Sequence, residues 1–128
     1  MTPANMAARI PRASFIGIGR LQRHRMALHE GARVSVLRDP RRVVFGAVYD
    51  VPLADILVLD RHEGVAAGRA QKIDQAIMME EGAKHALLHL AIGHLHPASI
   101  KDRETIAKAA HDLGLDASYI AELRASTR

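Results

Sequence analysis

Residues 43–64 read VVFGAVYDVPLADILVLDRHEG, and the fold turns on how this stretch divides. Its first nine residues, 43–51, are almost continuously apolar and rich in β-branched side chains, the pattern of a strand buried on both faces. Pro52 then suits the first turn of a helix, where its missing N–H costs nothing. Leu53, Ile56, Leu57 and Asp60 recur at helical spacing, and Gly64 is placed to end the helix in a left-handed cap.

Upstream, residues 14–19 (SFIGIG) read as a short strand with Gly at points of close backbone approach. Residues 24–29 alternate with Met26 and Leu28 on one face, and residues 33–37 do so with Val34 and Val36. Asp39-Pro40-Arg41-Arg42 is a turn signal between strands. Downstream, residues 71–79 and 83–92 form two longer strands joined at Glu80-Glu81-Gly82. Ser99-Ile100-Lys101-Asp102 has the form of a capping box, and Ile106, Ala109, Ala110 and Leu113 mark one face of the helix behind it. Gly114 stops that helix, and Asp116 caps a last one with Ile120 and Leu123 facing inward. Four strands, a helix, a hairpin and two helices do not alternate as a doubly wound sheet requires. The expected class is α+β: a mixed, curved or barrel-like β-sheet with flanking helices, in a single domain over residues 1–128.

The chain has 128 residues, 48% of them hydrophobic and 25% charged, which supports one buried core and argues against disorder. With no Cys, disulfides and thiolate chemistry are excluded, in keeping with a cytoplasmic location. No apolar run approaches the ~20 residues of a membrane span, so no membrane partner is expected. The net charge of +4 is spread along the chain, and with only two Tyr, two Phe and no Trp there is little to stack on bases. This argues against nucleic acid as a partner.

Asp60 and Glu63 stand in the last turn of their helix, where the carbonyl end repels carboxylates and raises their pKa values. A carboxylate tuned upward suits proton transfer near neutral pH. The local pattern equally allows structural ion pairing with Arg61 or Arg69, or simple solvation. His85 and His89 share a strand face, as do His94 and His96, but neither pair has a third ligand at fixed spacing, so no metal site is expected. Gly17-Ile18-Gly19 lacks the third glycine of a dinucleotide-binding loop. There is no Gly-x-Ser-x-Gly elbow, which argues against covalent acyl chemistry. No cofactor is expected.

Several segments together resemble the γ-glutamylcyclotransferase family, also called AIG2-like. They are Pro11-Arg12-Ala13, Gly19-Arg20-Leu21, Val44-Phe45-Gly46-Ala47-Val48-Tyr49, Leu59-Asp60-Arg61-His62-Glu63-Gly64, and the tail Ala109-Ala110, Gly114-Leu115-Asp116, Tyr119 and Leu123. The resemblance implies a small barrel with flanking helices that releases 5-oxoproline from a γ-glutamyl amine or peptide. In such proteins the substrate's own α-amine attacks its γ-carbonyl. By motif position Glu63 is the general acid/base; Gly64, Arg20 and Arg69 are the candidate substrate-binding residues. Arg69 reads either as a solvated cation or as the contact to an anionic group. The alternative implied function is an inactive family member that serves as a ligand-binding or interaction domain.

The chain departs from the family pattern in three places. An aromatic residue usually follows the Glu-Gly pair where Arg69-Ala70 stands, and a tyrosine of the penultimate helix is replaced by Asp102. The family also opens with a strand and a Tyr-Gly-Ser-Asn loop, whereas Met1-Thr2-Pro3-Ala4-Asn5-Met6 resembles the stretch after that loop. The expectation is an N-terminally truncated domain whose exposed apolar sheet edge pairs two copies into a homodimer.

Overall fold

The computed structural model describes residues 3–29, 33–92 and 99–125. A short helix α1 (Pro3–Arg9) leads into two long strands, β1 (Ser14–His29) and β2 (Arg33–Asp50). Helix α2 (Leu53–Glu63) follows, then the hairpin β3 (Ala70–Met79) and β4 (Gly82–Ala91), and finally α3 (Ile100–Asp112) and α4 (Ala117–Ala125). The sheet order is β2-β1-β3-β4 with every described pairing antiparallel. The two outer strands, β2 and β4, also approach each other, so the sheet curls toward a barrel. The expected α+β class with a curved sheet and flanking helices is the one observed.

The four short strands expected over residues 14–51 are two long ones. The ladder runs from Ser14↔Asp50 to His29↔Arg33, with register breaks after Phe15 and after Gln22. At the second break, residues 39–42 find no partner while Arg23, at φ 63°, takes up the slack on the opposite strand. A bulge of this kind bends a strand without ending it, so Asp39-Pro40 marks a kink inside β2 and not a turn between strands. The Asp39 side chain accepts from the Arg41 N–H at 3.1 Å, turn chemistry contained within the strand. Helix α1 is an addition, since Met6 and Ile10 alone are too sparse a stripe to announce it.

Three clusters form the core. Ala107, Ala110, Tyr119, Ile120 and Leu123 join α3 to α4 and take Met26 and Phe45 from the sheet. Leu21, Ile77 and Met79 fill the sheet's concave side with Val44, Val48 and Leu88 around them. Met6, Ile10 and Leu59 join α1 to α2. Gly19 is required where β1 crosses this interior, because a Cβ there would lie 2.7 Å from Val48 and 2.9 Å from Ile77.

Residues 43–49 are only half-buried, which corrects the expectation of burial on both faces. Phe45 packs edge-on against Tyr119, with ring centroids 4.9 Å apart, while Val44 and Val48 border open space. Helix α2 also turns differently from its expected stripe. Leu53 and Leu57 point outward, and Leu59 is the buried residue.

Candidate active site

The open space is a cavity of about 460 Å³, within the range of small-molecule sites. Met6 of α1 and Ile56 and Leu59 of α2 line one end. Its long walls are Gly46–Asp50 of β2, continued by Val51, and Lys84–His89 of β4. A wall made by the face of a strand collects alternate residues. Here five consecutive residues of β2 and six of β4 contribute, so the cavity lies between two strand edges. Phe15 leans on Tyr49 at one side, and burial pushes the Tyr49 phenol up to about 12, so it remains a protonated donor at neutral pH.

Glu63 is not among the lining residues. It projects from the same stripe of α2 as Ile56 and Leu59, at i, i+3 and i+7, one turn beyond the cavity's end. Its side chain is 30% exposed, and Oε1 lies 3.4 Å from Nη1 of Arg9. Neither Arg61 nor Arg69, the partners suggested by local sequence, makes this pair. Gly64 takes the left-handed conformation expected of it, with φ 78° and ψ 35°, and its N–H donates to the Asp60 and Arg61 carbonyls. The Arg69 guanidinium packs so closely on Gly64 that a Cβ would meet its Nε at 2.5 Å. The main chain holds the approach, because the Arg69 N–H donates to the Gly64 carbonyl at 3.0 Å. Glu63, Gly64 and Arg69 are therefore gathered around one helix end. Arg20 is not brought to them: it is exposed on β1, pairing with Phe45 and Met78, on the other face from its cavity-lining neighbours Gly19 and Leu21.

Asp60 reverses its expected behaviour. Hydrogen bonds to His89 and then to Lys72, each at 2.8 Å, hold its carboxyl below the usual carboxylate range. They outweigh the repulsion at the helix end that predicted a rise. The partners come from β3 and β4, where Lys72 and His89 stand directly opposite each other in the ladder. Sequence reasoning missed them, although a signal existed. Once Glu80-Glu81 is taken as the two-residue turn, the register alone pairs residue 72 with residue 89. His85 bonds Asp74 at 2.8 Å, so both strand-face histidines have carboxylate partners. Among the described residues no three His, Asp or Glu converge as metal ligands. His94 and His96 lie outside the described residues. No helix among the described residues is long and apolar enough to cross a membrane.

No protein-family model and no curated relative matches the chain. Solved structures do. A structure described as a gamma-glutamyl cyclotransferase superposes with a TM-score of 0.84 at 21% identity, over 97% of this chain and 80% of that one. An uncharacterized human protein gives 0.80 at 23% identity, over 94% of this chain and 78% of its own. YkqA from Bacillus subtilis gives 0.73 at 15% identity, over 94% of this chain and 46% of that one. Element order, curled sheet and these superpositions agree: the chain has the γ-glutamylcyclotransferase-like fold.

Proposed function

We propose that this protein releases 5-oxoproline from a γ-glutamyl amine or peptide, with Glu63 as general acid/base. The observation that carries the reading is the helix stripe Ile56, Leu59, Glu63, which sets a carboxylate one turn beyond the end of a small-molecule-sized cavity in a fold shared with a gamma-glutamyl cyclotransferase. The substrate's α-amine attacks its own γ-carbonyl carbon, the new C–N bond closes a five-membered lactam, and the bond to the leaving amine breaks. Glu63 takes a proton from the attacking nitrogen and returns one to the leaving nitrogen, so no protein nucleophile is needed. Holding the amine against the carbonyl supplies most of the acceleration.

Gly64 and Arg69 are assigned to substrate binding. The guanidinium beside Gly64 suits the substrate's carboxylate, and the missing Cβ lets it approach the helix end. Arg9 sits on the Glu63 oxygen that a substrate ammonium needs, so the two cations compete for it. The test is 5-oxoproline release from a panel of γ-glutamyl amines by the wild type and Glu63→Gln. The expected result is turnover in the first and a loss of about 100-fold or more in the second. Equal activity removes Glu63 from the chemistry.

The absence of Cys supports a cytoplasmic setting. A homodimer is expected through an exposed apolar sheet edge, since unpaired edges recruit a second chain. Light scattering at micromolar concentration is expected to give twice the monomer mass; a stable monomer ends that assignment.

A further inference from the structure

The Lys72–Asp60–His89 cluster plays no part in the reaction as described above, yet His89 lines the cavity. We propose that His89, held by Asp60, presents an unprotonated Nδ1 to the cavity and is a second proton-transfer residue of the site.

Geometry fixes the imidazole. Its Nε2 lies 2.8 Å from Asp60 Oδ1, and the side chains are only 10% and 14% exposed. An ionised carboxylate can only accept, so Nε2 carries the hydrogen, and in the neutral ring it is Nδ1 that keeps the lone pair. Asp60 is held in that ionised form by its second bond, from Lys72. Nδ1 has no protein partner among the described residues and is not sealed from solvent, and the open space His89 borders is the cavity. The other titratable groups nearby do not replace it. Lys72 from β3 and Asp60 from α2 engage each other, Lys84 on its own strand is a cation, and His85 is paired with Asp74. From β2, Tyr49 stays a protonated phenol and Asp50 is exposed. A carboxylate behind an imidazole both orients the ring and stabilises the cation formed when it takes a proton.

Within the proposed cyclisation, on which this role rests, two protons must move. The α-ammonium loses its first proton to His89 Nδ1, giving an imidazolium balanced by Asp60. The free amine then attacks, and Glu63 carries the second proton from the attacking to the leaving nitrogen. The imidazolium afterwards releases its proton to water.

Long-range proton–nitrogen NMR of the ¹⁵N-labelled full chain reads the tautomer directly. Neutral His89 is expected as the Nε2–H form in the wild type, with that preference lost in Asp60→Asn. In the 5-oxoproline assay, His89→Gln is expected to lower kcat by about 100-fold and to change the acid limb of the kcat pH profile, leaving only what Glu63 contributes. His111→Gln, exposed on α3, leaves both unchanged. A neutral His89 protonated on Nδ1 overturns the inference, as does a folded His89→Gln enzyme with unchanged kcat and acid limb. Should the wild type release no 5-oxoproline, the cyclisation reading fails by itself. The tautomer then decides alone whether His89 offers the cavity a proton acceptor.

Discussion

The two sides of strand β2 are finished differently. On one, Phe45 presses edge-on against Tyr119, and its N–H donates to the Tyr119 hydroxyl at 3.2 Å. Behind that contact α3 and α4 close over Ala107, which is 0% exposed. On the other, Val44 and the consecutive run Gly46–Asp50 border a cavity of about 460 Å³. One strand thus anchors a dry core through Phe45 and leaves room for a ligand along its edge. Stability and binding are separated across a single backbone, so substitutions on the two sides should differ in what they change.

The largest difference is expected from truncating the dry side. Leu123→Ala removes a 4%-exposed side chain from the helix-to-sheet core and should cost about 2–5 kcal/mol, read as a lower denaturation midpoint with unchanged slope. Val48→Ala on the cavity side should cost about 1 kcal/mol, because its methyls already face open space on one side. The same substitution should shift KM for a γ-glutamyl amine, which Leu123→Ala should not do in the folded enzyme. Equal stability losses at the two positions break the comparison and mean that the cavity collapses in solution.

What the sequence made legible was local. The Ser99–Asp102 capping box forms with both of its hydrogen bonds, the left-handed Gly64 ends α2, and Ile120 and Leu123 turn inward as their spacing predicts. Each depends on residues within one or two helical turns. The readings that changed depend on distant chain. Asp39-Pro40 carries every mark of a turn, yet Arg23 across the ladder lets the strand continue through it. The run 43–51 is apolar enough for burial on both faces, but β4 stands across a gap instead of beside it. Asp60 and Glu63 look alike in LDRHEG, and their fates are decided by residues up to 54 positions away: His89 and Lys72 for the first, Arg9 for the second.

That divergence of two carboxylates in one helix turn gives the next test. Asp60 has a folded pKa below its unfolded value, so its contribution to stability is present above the ordinary carboxylate pKa and lost as pH falls through the folded value. Thermal melts of wild type and Asp60→Asn should therefore differ most near neutral pH. The gap should narrow as pH drops below about 4. A gap that stays constant across that window shows that Asp60 is not ionised against His89 and Lys72.

The smallest effect on stability, and the sharpest on the site, belongs to Arg9→Ala. The pair it breaks is long, at 3.4 Å, and its members are 41% and 30% exposed, so solvent screens it to less than about 0.5 kcal/mol. Met6 and Ile10 keep α1 seated on Leu59 without it, and Arg12 holds Asp55 of α2 through two hydrogen bonds of 2.7 and 3.0 Å. The melting temperature should scarcely move. KM should fall, because a substrate ammonium no longer competes with a guanidinium for the Glu63 carboxylate, while kcat stays constant because no group that moves a proton has been altered. If KM is instead unchanged, the substrate amine does not meet Glu63 where Arg9 does. The carboxylate then belongs with the structural ion pairs of the helix end, and the proton acceptor must be sought along the cavity wall.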